Sequence, residues 1–141
     1  MSGEFIDSNV FVYLFDETDD RKRDTAERLV DSALQTQNAS ISFQVVQETL
    51  NVVTRKLPTP MTAEGAKRFM EQVLAPLWRV SPSLALYHHA LDVQARYRYG
   101  FYDSLIVAAA LDAGCTRLYS EDLQDGQRIE GLTIENPFRE V

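Results

Sequence analysis

Residues 4–17 read EFIDSNVFVYLFDE, a polar triplet set inside an apolar run. Phe5 and Ile6 lead into Asp7, Ser8 and Asn9, and six apolar or aromatic residues from Val10 to Phe15 follow. Two readings of the triplet are open. Asp, Ser and Asn are favoured helix N-caps, so a short strand could simply turn into a helix here. Alternatively, the strand ends at Asp7 and presents a carboxylate at a sheet edge, where α/β proteins place their chemistry. The stretch alone does not choose between them.

The rest of the chain supplies the context. Its 141 residues carry 45% hydrophobic and 25% charged side chains, enough apolar mass for the core of one domain spanning 1–141. Short strand patterns (3–6, 39–43, 78–83, 116–120 and an expected edge strand at 132–136) alternate with helical periodicity. The helical segments fall at 9–15, from about 24 to 34, 43–57, 62–74, 83–99 and 103–114. Gly100 is placed to stop the fifth helical segment and Asp103 to cap the sixth. Strands alternating with helices imply a parallel sheet covered on both faces, an α/β fold.

Composition also removes several classes. A net charge of −7 argues against a protein that coats nucleic acid through bulk electrostatics. No run approaches the ~20 apolar residues of a membrane span, and no signal peptide opens the chain. Cys115 is the only cysteine, which fits a small structural thiol in a reducing cytoplasm rather than a disulfide framework.

Four acids occupy comparable places. Asp7 ends the first strand, Asp122 lies just past the strand 116–120, Asp103 begins a helix, and Glu48 sits at the margin of the buried face of the helix after the second strand. Each has an ordinary structural use as a cap, a turn residue or a solvated acid. Should they converge, the electrostatics demand a remedy. Two carboxylates ~5 Å apart repel by about 3 kcal/mol at an effective dielectric of ~20. Such a cluster protonates, pairs with Arg or Lys, or binds metal. No Cys/His set of zinc spacing exists, so the oxygen donors favour Mg2+ or Mn2+, ions suited to phosphodiester hydrolysis.

The arrangement resembles the PIN-domain nucleases, most closely the VapC-like toxins of type II toxin–antitoxin pairs. FIDSNVFVYLFD is similar to the family's opening motif, a strand followed by D-[ST]-N. The Glu within SFQVVQETLNV, the acid of YGFYDSLIVAAAL and the S-x-D of LYSEDLQDG resemble the second, third and fourth motifs. The resemblance implies a three-layer α/β/α fold with a short central parallel sheet, and Asp7, Glu48, Asp103 and Asp122 as catalytic, metal-binding acids. It also implies that Asn9 and Ser120 orient ligands from behind. Many relatives carry an Asp where Gln124 stands, and Asp125 follows it as a further candidate for the outer position. By the same resemblance the protein is a Mg2+- or Mn2+-dependent endoribonuclease, a homodimer, silenced by an antitoxin that fills a groove beside the acids.

ARYRYGFYD (95–103) interleaves basic and aromatic residues ahead of Asp103, so Arg96 and Arg98 are candidates for phosphate contacts on an RNA substrate. Phe101 and Tyr102 are expected in the core, and the run Arg21-Lys22-Arg23 is expected to be a solvated loop. Other classes remain: a catalytically silent PIN-like module that binds RNA or protein, or a non-toxin RNA-processing nuclease of the same fold. A phosphoacceptor receiver domain would need paired acids after the first strand and a Lys near the last ones. Asp7 stands alone, and all three lysines precede Asp103.

Overall fold

The computed structural model describes residues 3–139. Strand β1 (Gly3–Ile6) is followed by helices α1 (Ser8–Tyr13) and α2 (Asp20–Thr36), then by β2 (Ala39–Ser42) and α3 (Phe43–Arg55). Helix α4 (Ala63–Phe69) continues through a π turn at Met70–Leu74 and a 3-10 turn at Ala75–Leu77 into β3 (Trp78–Val80). Helices α5 (Leu84–Tyr97) and α6 (Phe101–Asp112) then lead to β4 (Cys115–Tyr119), β5 (Arg128–Ile129) and β6 (Leu132–Glu135).

Among the described residues the sheet runs in the order β3-β2-β1-β4-β6-β5, parallel except for the β5–β6 pair. The chain steps outward from β1 to β2 to β3, then crosses back to lay β4 on the other side of β1. Right-handed crossovers place the helices of the outward steps on one face and α5 and α6 on the opposite face. The reversal lies between β1 and β4, and a crevice opens there at the carboxyl ends of the strands. Both strands deliver candidate acids into it.

Local chemistry explains the helix starts. Asp7, Asp19, Ser42, Thr62 and Ser83 each accept a backbone N–H at a helix N-terminus. Helix α6 is buried from Ser104 to Ala110, as an almost wholly apolar helix must be when it lies between the sheet and α5. The core gathers Phe5, Ile6, Phe11, Ile41, Leu118 and Ile134, all essentially inaccessible.

Several sequence expectations are corrected. Gly100 does not stop α5: Arg98 takes the left-handed conformation (φ 61°) that ends it, and Gly100 (φ −62°) is the N-cap of α6. Helix α6 therefore starts two residues before Asp103, which sits in its first turn and is relieved of capping. The strand at 132–136 is not the edge, because β5 pairs with it on its outer side. Arg21, Lys22 and Arg23 belong to α2 rather than to a loop. Tyr102 is 69% exposed instead of lying in the core, whereas Phe101 is half-buried.

Candidate active site at the carboxyl edge of the sheet

Asp7 leaves β1 at the crevice and is only 6% exposed. Its Oδ1 accepts the Ser8 backbone N–H at 2.7 Å, and its Oδ2 accepts the Ser120 hydroxyl at 2.7 Å. The two opening readings are thus both true: the residue caps α1 and also stands at the strand end. Burial is the main force pushing its carboxyl up to about 6. The Ser120 and Ser8 hydrogen bonds work against that rise, and the charges of Glu48 and Asp122 add to it.

Glu48 joins this half of the site through Ser8, whose hydroxyl donates to Glu48 Oε1 at 3.0 Å and lies 3.5 Å from Asp7 Oδ1. Gln44, one helical turn earlier, donates from Nε2 both to Glu48 Oε2 at 3.2 Å and to the Tyr102 carbonyl at 3.1 Å. Both facing atoms are acceptors, which fixes the amide with its nitrogen toward the site. Gln44 thereby ties α3 to the start of α6. It is 97% inaccessible, because α3 buries Gln44, Val45 and Thr49 together with Val46 and Val53, with Phe43 and Leu50 partly buried against the core. Sequence reading passed over Gln44, although its i,i+4 relation to Glu48 was a usable signal.

The second half is more open. Asp122 is exposed, and its Oδ2 accepts Asn9 Nδ2 at 3.2 Å. Asn9 Oδ1 in turn accepts the Glu121 backbone N–H at 3.3 Å, so the amide bridges α1 and the segment after β4. Asp103 is exposed, and its carboxylate makes no hydrogen bond among the described residues. Desolvation first, and the charge of Asp122 second, raise its carboxyl above the usual range. The four acids are therefore at one edge and electrostatically linked, Asp7 to Glu48 and Asp122, and Asp122 to Asp103.

Not every candidate joins them. Asp125 accepts the Asn136 backbone N–H at 2.8 Å and pairs with Arg139 at 2.9 Å, so it fastens the turn to the end of β6. Arg96 is exposed with its guanidinium over the Tyr97 ring (5.5 Å), and Arg98 is exposed at the end of α5. Cys115 is buried, its thiol pushed up to about 11 mainly by desolvation, which suits a structural residue.

The donor set fits a hard divalent cation: carboxylates, a hydroxyl and an amide offer oxygen throughout. Among the described residues no group of three or more acidic, imidazole or thiol side chains is spaced to hold a metal ion.

A family model for the PIN domain matches residues 5–128, and the chain belongs to that family. No curated protein matches the sequence significantly. Several solved structures share the fold. VapC20 of Mycobacterium tuberculosis, a Sarcin-Ricin loop cleaving toxin, aligns with a TM-score of 0.61 at 22% identity, covering 85% of this chain and 90% of that one. The DNA-bound VapBC complex of Salmonella typhimurium gives 0.66 at 20% identity, covering 97% and 99%. VapBC2 of Rickettsia felis, bound to a promoter DNA fragment, gives 0.66 at 18% identity, covering 94% and 97%.

Proposed function

We propose that the protein is a Mg2+- or Mn2+-dependent endoribonuclease and the toxin of a toxin–antitoxin pair. The observation that carries this reading is the placing of four carboxylates from four separate elements at one edge of the sheet, Asp7 within electrostatic reach of Glu48 and Asp122, and Asp103 of Asp122. A scaffold has no use for a buried carboxylate held beside two others, so a silent module is disfavoured.

Asp7, Glu48, Asp103 and Asp122 are the carboxylates that would hold the ion, which when bound would supply Lewis acidity toward the phosphate and a more acidic water. The chain's own residues do the rest. Ser8 sets the spacing of Asp7 and Glu48, Ser120 locks the second oxygen of Asp7, and Asn9 aims Asp122. Gln44 keeps Glu48 aligned with the start of α6, so that Asp103 meets the same ligand. Arg96 and Arg98, exposed at the end of α5, would meet phosphates of an RNA strand further from the acids.

The partners follow from the same reading. A groove of about 760 Å³ lies between the end of α1 and the C-terminal part of α3, lined by Val12, Phe15, Arg23, Val52, Leu57 and Met61 among others, and by none of the four acids. It receives the antitoxin, by analogy with the toxin–antitoxin complexes of the same fold from Klebsiella pneumoniae and Salmonella typhimurium. A protein of charge −7 captures a basic antitoxin segment rapidly. Leu84, Tyr87 and Leu91 lie exposed along α5 and supply an apolar face for a homodimer. No described helix is long and apolar enough to cross a membrane. A cytoplasmic location is part of the proposal.

The test incubates antitoxin-free protein with end-labelled RNAs and Mn2+, alongside EDTA, Asp7→Asn and Asp103→Asn controls. Cleavage by the wild type that vanishes in all three is the expected result. Equal cleavage by the wild type and both variants would assign the activity elsewhere.

A further inference from the structure

The opening motif and the loop after β4 are joined by a second network that the four acids do not use. Between Ser120, which donates to Asp7, and Asp122, which accepts from Asn9, stands Glu121. Its side chain reaches α1 and α2. Oε1 accepts the Tyr13 hydroxyl at 2.6 Å, and Oε2 accepts Lys22 Nζ at 2.7 Å. Lys22 also donates to the Tyr13 hydroxyl at 3.1 Å and lies 4.8 Å from the Tyr13 ring centroid. The Tyr13 ring is backed by Phe138 at 4.6 Å, which places the whole cluster against the core.

We propose that Lys22, acting through Glu121 and Tyr13, is a positioning residue that latches the loop after β4 so that Asn9 and Asp122 meet in the site. Two consecutive residues of that loop, Ser120 and Glu121, make three different anchors. Ser120 reaches Asp7, the Glu121 side chain reaches Lys22, and the Glu121 backbone N–H reaches Asn9 Oδ1. Fixing Glu121 from outside therefore sets its N–H toward Asn9, and Asn9 passes that orientation to Asp122.

The ion pair has a second consequence. Glu121 is a fifth acid adjacent in sequence to Asp122, and uncompensated it would deepen the repulsion at the edge. Both members are half-buried, with side-chain exposures of 28% and 25%, so solvent screens the pair less than a surface bridge. Arg21 and Arg23, the other members of the basic run, face elsewhere: Arg21 reaches the Phe138 and Arg139 carbonyls, and Arg23 the Asp16 carbonyl and Asp20. Lys22 is the cation of that run that meets the site's supporting loop.

This inference rests on the reading that the acids hold a divalent cation, and its test keeps the two separable. Mn2+ is titrated calorimetrically into the full chain at neutral pH. In parallel, the Asn9 side-chain amide is followed by 1H–15N NMR without metal. In Lys22→Met the Asn9 cross-peak moves and Mn2+ affinity falls by roughly tenfold, the lower end of what groups behind a metal ligand contribute. Glu121→Gln, which keeps a partner for Tyr13, shows the same changes to a smaller degree. Lys22→Arg restores both signals, and Val30→Ala, in the core face of α2, lowers the melting temperature without altering either. An Asn9 cross-peak and Mn2+ affinity unchanged in Lys22→Met would overturn the latch, as would a Val30→Ala variant that reproduces its losses. Wild-type protein that takes up no Mn2+ would overturn the cation reading instead, and the Asn9 cross-peak alone would then decide the latch.

Discussion

Asp7 and Asp103 stand at the same edge and are held in opposite ways. Asp7 is buried, and each of its oxygens takes a short hydrogen bond from a neighbouring element. Asp103 is exposed on the first turn of α6, and its carboxylate makes no hydrogen bond among the described residues. One half of the acid cluster is held by the protein's own hydrogen bonds, and the other is the half that, on the proposed function, stands open to ion and substrate. The rigid half costs fold stability, because a charge is taken out of water. The open half costs little and depends on its loop and helix for aim.

Substituting either acid gives the largest effect. Asp7→Asn and Asp103→Asn should each reduce RNA cleavage by more than about 100-fold, beyond what groups behind a metal ligand contribute. If Asp103→Asn cleaved at the wild-type rate, the open half would not belong to the site at all.

Stability separates the two substitutions. The Asp7 carboxyl is raised from 3.8 to about 6, and at roughly 1.4 kcal/mol per unit its charged form destabilises the fold by about 3 kcal/mol. Asparagine removes the charge and forfeits one hydrogen bond worth about 1 kcal/mol, so Asp7→Asn should stabilise metal-free protein by about 2 kcal/mol at pH 7.5. Asp103→Asn should stay within about 0.5 kcal/mol of wild type, as exposed substitutions do. Denaturant unfolding in EDTA measures both.

The same shift fixes a pH dependence. Between 3.8 and about 6 the folded state holds a proton on Asp7 that the unfolded chain has released. Stability therefore falls as pH rises through that window. The difference between wild type and Asp7→Asn isolates this contribution from the other carboxyls. It should grow by about 3 kcal/mol from pH 3.5 to pH 7. A difference that stays flat would mean that Asp7 is not desolvated in solution.

Gln44→Ala gives the smallest effect among these. It releases Glu48 and the start of α6 together, and cleavage should drop roughly tenfold. A drop confined to KM would show that Gln44 serves substrate binding rather than the alignment of Glu48.

The strand ends at Asp7 and before Asp122 were readable because each is a local event: an apolar run stops, and a carboxylate follows. The partners that aim those acids were not. Ser8 lies 40 residues from Glu48, Asn9 113 from Asp122, and Lys22 99 from Glu121, and no local pattern marks such pairs. Gln44 escaped because a polar residue beside an apolar stripe carries no local mark of burial, and here it is buried along with Val46 and Val53. Gly100 misled for a different reason. Glycine at a helix end signals a stop, yet here Arg98 takes the left-handed turn and Gly100 opens the next helix. Tyr102 looked like core by composition, and only the placement of α6 leaves it exposed.

The most direct test of the acid cluster as a cation site is thermal unfolding of wild type and Asp7→Asn, with and without Mn2+, at pH 7.5 and pH 5. Binding to the folded state alone raises the melting temperature. The ion should therefore stabilise wild type strongly at pH 7.5 and less at pH 5, where protons compete for Asp7, and leave Asp7→Asn unmoved. A wild-type melting temperature indifferent to Mn2+ at both pH values would contradict the account.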